Sequence, residues 1–502
     1  MGREDNEERP EEKAGGLVRR EIPAAVASAR GLLPEDRQTV YSLLQLYRKK
    51  LPRNALRECY YKMHARPREL GISVPPNLRR LEQAMGWPAK AVNALANRSQ
   101  FDGFVCADDD AAEQLQAIVA GNRLKQCYRK AVKGELVHAC SFLAVTAGDA
   151  DAGEPAAIVR AYPATAAAAL WDDRANRIDA GMVVVARDRT ASGGDEPTWV
   201  DVYTGDAVIS IVRSARGWSA TYAEHGMGRC LMEPLAHEAT LERPFGSSRI
   251  TRAVMSLTDD AMRASVRSEV AAEFMTSPQK YLMGADSDVL DGVSKWDAYI
   301  GNIFAVTKDA DGDVPQFGQL SQGSMQPHID YMRSLAARFS GETDVPISEL
   351  GVVSDNPSSA EAIYAAKEPL VVRAQNLNSD NGDALVNVAL MSLAIEHGTD
   401  YATEARAGLG VQARFRNPAM PSIVSQSDAM VKMISALPWL AESDVALEEF
   451  GFTDDQIQRL RSDRSKATSR ALVASAAQGT GLALPSANPD AAAQRMASEA
   501  VQ

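Results

Sequence analysis

The residues of this chain that could do chemistry are few in kind and poorly grouped. Asp309-Ala-Asp-Gly-Asp313 has the spaced carboxylates of a calcium loop, which would hold a hard cation through oxygen ligands. Counting from Asp309, the sixth and twelfth positions are Val314 and Leu320, where that loop needs glycine and a bidentate glutamate. An Asp-Gly turn between two strands is the better reading. His138 and Cys140 stand close together, yet no second ligand pair comes after them, and zinc needs four well-spaced ligands. No metal site is assigned.

Nucleophile and phosphate chemistry fare no better. There is no GxxxxGK[ST] loop to cradle phosphates and no G-x-S-x-G elbow. His225-Gly-Met-Gly228 carries glycines at the wrong spacing for a dinucleotide fold, with no βαβ unit around it. His64, His237, His328 and His397 are isolated in sequence, and the carboxylate pairs are scattered. Neither catalytic residue nor cofactor is assigned, although folding can unite residues that are distant in sequence. Cys59, Cys106, Cys127, Cys140 and Cys230 form no CxxC pair. The odd count and the charged start MGREDNEERPEEKAGG, unlike a secretory signal, favour reduced thiols.

The elements that would position any site come next. A chain of 502 residues, 45% hydrophobic and 24% charged, has room for roughly two to four domains. No apolar run approaches the roughly 18 residues of a membrane span, so no membrane partner is expected. The net charge is −12. Tight DNA binding usually needs a basic face, because each neutralised phosphate releases counterions. Acidity therefore argues against a static grip on DNA, while remaining compatible with a wall along which DNA slides.

Val40, Leu43, Leu44, Tyr47 and Leu51 recur at helical steps in a helix predicted over 36–65, interrupted at Pro52. Further helices are predicted over 77–85 and from Gly86-Trp87-Pro88 to about Asn97. Between 156 and 222 the period becomes two, and Thr198–Tyr203, Gly205-Asp206 and Ala207–Val212 read as a hairpin. An amphipathic helix is predicted over 254–275, with Met255, Met262, Val266, Val270 and Phe274 on one face. Ser277-Pro278 predicts a kink and restart. A second amphipathic helix over 327–340 carries Ile329, Met332, Leu335 and Phe339. Ser358-Ser-Ala-Glu361 and Thr453-Asp-Asp-Gln456 are capping boxes. Pro369 is expected to bend the helix that Ser358 opens, and Asn376-Leu-Asn-Ser-Asp-Asn-Gly382 reads as a turn-like insertion in it. Helices with one sheet-bearing region make the class α+β.

Four ordered groups of residues then resemble the portal proteins of long-tailed phages, particularly those infecting actinobacteria. The first is Tyr60-Tyr61-Lys-Met-His64 with Gly71-Ile-Ser-Val-Pro-Pro76, Gly86-Trp87 and Asp102-Gly103-Phe104. The second is His225-Gly-Met-Gly-Arg229, Pro234-Leu235 and Gly246-Ser-Ser-Arg-Ile250. The third is Ser277-Pro-Gln-Lys-Tyr-Leu-Met-Gly284. The fourth runs from Leu335-Ala-Ala-Arg-Phe339 through Pro346 and Leu350-Gly351 to Asp355-Asn-Pro-Ser-Ser-Ala-Glu-Ala-Ile363.

The resemblance implies a portal fold: a wing, a two-helix stem, an inserted clip, a tunnel loop with a long kinked helix, and a helical crown. In this numbering it implies a disordered arm over 1–35, wing over 36–253, first stem helix over 254–284 and clip over 285–324. The second stem helix would span 325–342, the tunnel loop 343–359, the long wing helix 360–400, the crown 401–470 and a flexible tail 471–502. Tunnel-loop residues expected to face DNA are Asp344, Val345, Pro346, Ile347, Ser348, Glu349, Val352, Val353, Ser354 and Asp355. The segment holds no Lys or Arg, which suits steric contact better than phosphate binding. Met262, Val266, Val270, Phe274, Met332 and Leu335 are expected to pack the stem between neighbouring subunits.

The implied assembly is a virion homo-dodecamer passing double-stranded DNA, put together in the host cytoplasm. Terminase, head-completion or adaptor proteins, and the major capsid and scaffolding proteins would be its partners. The alternatives are another virion structural protein, such as an adaptor or minor capsid protein, and a cytosolic α+β enzyme with a dispersed site.

Overall fold

Apolar residues at three- and four-residue steps make α1 (Asp36–Tyr61) one helix, with Val40, Leu43, Leu44 and Tyr47 buried. Pro52 lies inside it rather than ending it. Its missing N–H removes one helical hydrogen bond, and the next turns are pinned by side chains. Asn54 Nδ2 donates to Ala164 O at 3.0 Å, and Arg57 Nη1 donates to His138 O at 2.9 Å.

The computed structural model describes residues 23–66, 83–189, 195–276, 280–283, 316–319, 323–352, 359–419, 423–443, 446–447, 452 and 454–477. It divides into two units, 1–419 and 420–502. Part of the arm expected over 1–35 is in fact packed: Val26 and Leu32 are buried in the same apolar cluster as α1. Their burial gains more than solvation of a short apolar run would.

Of the helix predicted over 77–85, residues 77–82 lie outside the described residues, and 83–86 are not helical. The helix there is α2 (Trp87–Ala96), which starts with Pro88 in its first turn, where a missing N–H loses nothing. β1 (Phe101–Val105), α3 (Asp109–Gly121) and α4 (Leu124–His138) come after it. The Asp108 carboxylate caps α3, accepting from Ala111 N at 2.9 Å.

The strands are β2 (Cys140–Ala147), β3 (Ala157–Pro163), β4 (Ala167–Asp172), β5 (Arg177–Arg189), β6 (Asp195–Tyr203), β7 (Ala207–Ser214), β8 (Gly217–Glu224) and β9 (Met232–Ala236). β4 to β8 form an antiparallel meander, and β3-β2-β9 a second sheet. The hairpin read from the sequence is β6–β7, with Trp199 opposite Val212 and Tyr203 opposite Val208. Alternation puts Met182, Val200, Ile209 and Ile211 on the face that meets α1. Gly246, which opens the Gly246–Ile250 motif, has φ +66°, and a Cβ there would come within 2.2 Å of His237 O. Only glycine fits that turn.

α5 (Arg252–Thr276) ends before β10 (Lys280–Met283), which pairs antiparallel with β11 (Gln316–Gln319). The stem helix expected to reach 284 therefore stops earlier. Ser277-Pro278 lies outside the described residues, and the apolar Tyr281-Leu282 beyond it is in a strand rather than a restarted helix. α6 (Gln326–Thr343) is the second predicted amphipathic helix.

α7 (Ala360–His397) runs through both Pro369 and the Asn376–Gly382 segment expected to be a turn. That run stays helical because the core receives it: Leu377 is buried, and Asn381 Nδ2 donates to Tyr128 OH and Glu135 Oε2 at 3.0 and 2.9 Å. The cap is Ser359, whose hydroxyl accepts from Ala362 N, one residue later than the predicted box. The main core joins α2, α4, β2 and β9 to α5, α6 and α7 through Leu95, Leu136, Leu143, Leu235, Val254, Leu335 and Leu385.

α8 (Tyr401–Arg406) and β12 (Gln412–Phe415) were expected in the crown with everything to 470. They belong instead to the first unit, because β12 pairs with β1, Phe415 opposite Phe101. The second unit contains α9 (Ile423–Ala436) and α10 (Asp454–Ala477), so the tail expected from 471 is helical to Ala477.

Candidate ring-forming helices and channel segment

α5 and α6 pack as an antiparallel pair. At one end Thr251 Oγ1 donates to Glu342 Oε1 at 3.1 Å. At the other, a Cβ on Gly323 would come 3.1 Å from Met275 Cε. Met262, Val266, Val270 and Leu335 are buried and Met332 is half-buried, all within one chain. The stripe expected to seal neighbouring subunits is thus already covered inside the subunit. Phe274 lies in α5, with its side chain outside the described residues.

Along α6 the apolar stripe emerges from the core. Leu335 and Phe339 are fully buried, Phe339 with its ring centroid 5.2 Å from that of Trp87. Towards the other end Ile329 of that stripe is 45% exposed, and Tyr331, two residues on and so on another face, is 47% exposed. The first turns of α7 are also largely exposed, including the large apolar Ile363 and Tyr364. Large apolar residues on polar-rimmed helices are what association surfaces present.

The segment after α6 differs from the expected DNA-facing loop. Val345 is fully buried in the main core and Pro346 is buried, so neither faces a channel. The apolar Val345 gains more from that core than from water. Asp344 pairs with Arg373 of α7, which also reaches Glu238 at 2.6 Å. Glu349 receives Lys90 at 3.3 Å and Arg98 at 4.0 Å. Val352 is half-buried against the core, while Val353, Ser354 and Asp355 lie outside the described residues. Of the seven that are described, Ile347 and Ser348 are exposed. Among the described residues of this segment, the acids Asp344 and Glu349 are thus paired with cations of α2, α7 and the turn after α2.

Buried polar residues that the sequence reading passed over fix this frame. Arg249, in the Gly246–Ile250 motif, donates from Nε to Ala91 O at 2.7 Å and from its other end to Thr343 O. It ties α2 to the carbonyl end of α6, where a cation also suits the helix dipole. Arg229 pairs with Glu233 inside the core and lies 4.2 Å over the Tyr401 ring, holding α8 to β9. Ser99 Oγ and Tyr128 OH are 2.6 Å apart, and Asn381 links them to Glu135.

Glu135 is fully buried, and desolvation pushes its carboxyl up from 4.5 to about 8. The folded state therefore holds a proton that the unfolded chain releases. Stability from this group is fully present below pH 4.5, falls as pH rises towards about 8, and is flat above. Glu135→Gln is expected to remove that slope and raise the melting temperature at about pH 8 relative to wild type. Thermal melts across that window check it, and an unchanged slope would count against a neutral Glu135.

Among the described residues no group of three His, Cys, Asp or Glu side chains could hold a metal, and no helix is long and apolar enough to cross a membrane. All five cysteines are free thiols.

No protein-family model matches the chain. It is 28% identical over 415 residues to the portal protein of Mycobacterium phage L5, covering 80% of this chain and 83% of that one. It is 26% identical over 415 residues, with the same coverage, to the portal protein of Mycobacterium phage D29. A chain from the virion of a native gene transfer agent particle gives a TM-score of 0.43 at 12% identity, covering 86% of this chain and 98% of that one. A chain from the neck of the empty particle gives 0.43 at 13%, covering 73% and 90%. Over four fifths of its length this chain resembles the portal proteins of phages that infect actinobacteria.

Proposed function

We propose that the chain is the portal subunit of a tailed phage, a structural protein of the virion that closes into a ring of twelve around a channel for double-stranded DNA. The observation that carries this is the extended identity with two proteins named portal protein. α5, β10–β11 and α6 would form stem and clip, and the first unit's sheets the wing. A head-to-tail contact that closes on itself leaves an axial hole, and an acidic chain of net charge −12 would let DNA pass without adhering. Terminase would supply the energy from outside and dock near the clip, where head-completion proteins would later attach. Capsid and scaffolding proteins would surround the wing, with assembly in the host cytoplasm.

In this reading the ring seam is built not from the buried stripe of α5 and α6 but from their exposed outer side and the start of α7. Ile329→Asp with Tyr331→Asp is expected to leave the subunit's melting temperature within a few degrees of wild type, since both side chains are half out in solvent. The same pair should abolish rings in gel filtration, because charges would enter an apolar contact. Rings of wild-type yield would move the seam elsewhere.

A further inference from the structure

A cavity of about 590 Å³ opens between α1, the end of α4, β4 and the turn that leads into α5. Its charge is one-sided. Lys50, Arg53, Arg57, Arg243 and Arg252 line it, against Glu242 as the carboxylate among the described lining residues. Lys50, Arg53, Arg243 and Arg252 make no ion pair with a described residue. In a chain of net charge −12, such a concentration of unpaired cations is a local reversal.

Arg57 is the decisive residue. Its side chain is buried, and its sole partner among the described residues is His138 O. Burying a guanidinium without a counterion is costly, and a like charge adds to the cost: desolvation first, then Arg53, lowers its pKa to about 10. His138, 7% exposed, also lines the cavity with Nδ1 unpartnered. The lining is also apolar and aromatic. Trp171 and Phe245 line it edge to face, centroids 5.7 Å apart, with Phe142 behind Phe245 at 5.9 Å. Arg57 is 9% exposed, a poor match for the phosphates of a duplex, which is a broad convex rod.

We propose that this cavity binds a nucleoside phosphate, its phosphate taken by Arg57 with Arg53 and Arg243 at the mouth and its base laid against Trp171 and Phe245. The guanidinium fork matches phosphate oxygens, several cations suit a group carrying more than one negative charge, and the aromatic side accepts a planar ring. The volume is that of an ordinary small-ligand site. Two sources share this chemistry, a free nucleotide and the phosphorylated end of a single strand. The site does not depend on ring formation.

The test is calorimetric titration of the full-length protein at physiological ionic strength. The probes are adenosine monophosphate, adenosine, a short single-stranded oligonucleotide with a terminal phosphate, and a glutamate-rich peptide. Saturable binding of adenosine monophosphate, with none of adenosine, supports the proposal and identifies a free nucleotide as sufficient. Binding of the oligonucleotide alone supports it with a strand end as the source. Arg57→Met removes a buried bond that holds α1 and so risks unfolding the chain, which makes the exposed pair Arg53→Ala with Arg243→Ala the informative variant. It is expected to weaken binding roughly tenfold or more while leaving the melting temperature unchanged. No saturable binding of either phosphate probe, unchanged affinity in the double variant, or tighter binding of the peptide would overturn the proposal.

Discussion

Phe339→Ala is expected to destabilise the first unit by about 3–5 kcal/mol, the range for emptying a large aromatic site in a packed core. Phe339 is completely buried, in the cluster that joins α6 to α2, and packs on Trp87. Neighbours fix that site from several directions. Arg249 bonds both Ala91 O and Thr343 O, one turn from Phe339, so the backbone cannot readily collapse into the cavity. Phe339→Leu, which keeps most of the volume, should cost less than half as much. Chemical denaturation of the two variants checks the order and size. A loss below about 1 kcal/mol for the alanine variant would mean that α6 is not anchored at its base.

Val270→Asp is the second large effect, and it separates two accounts of the stem. If the apolar stripe of α5 lay between subunits, the substitution would spare the isolated subunit and block only assembly. Val270 is buried within the single chain, so the subunit itself is expected to suffer. A buried carboxyl can be pushed up by about 3 units, which at 1.36 kcal/mol per unit is about 4 kcal/mol near neutral pH. The first unit of the variant should therefore melt well below wild type even as a monomer, with ring loss as a consequence of misfolding. A monomer of unaltered melting temperature that fails only to assemble would return Val270 to the seam. The Ile329 and Tyr331 variant is the complement, folded but ring-free.

Much of the fold was legible because its signals are local. Period-two alternation from Thr198 to Val212 located the β6–β7 hairpin, and helical steps located α1, α5 and α6 within a few residues. Errors came where tertiary partners outweighed local preference. Pro52 predicted a break, but Asn54 and Arg57 hold the next turns through distant carbonyls. Asn376–Gly382 has the composition of a turn, yet Asn381 Nδ2 bonds Tyr128 and Glu135 across the core, and those buried bonds hold the helix that presents it.

The site was less legible than the fold. Helical spacing shows that Met262, Val266 and Val270 share a face, but not whether the cover comes from the same chain or a neighbour. The resemblance put Val345 and Pro346 in a DNA-facing loop, whereas an apolar residue beside a helix end is free to fold back into the core. Arg249 and Arg229 are buried cations that look like surface charges in sequence. The signal that could have found Arg249 is its glycine-led setting, Gly246-Ser-Ser-Arg249, since a turn that admits only glycine orients the next few residues.

Electron microscopy of the protein purified from assembled heads, with its mass measured by light scattering, tests the central claim most directly. Closed rings with an axial opening and a mass of about 650 kDa, twelve subunits of 54.0 kDa, are the expected result. Single copies or closed dimers recovered from intact heads would contradict it.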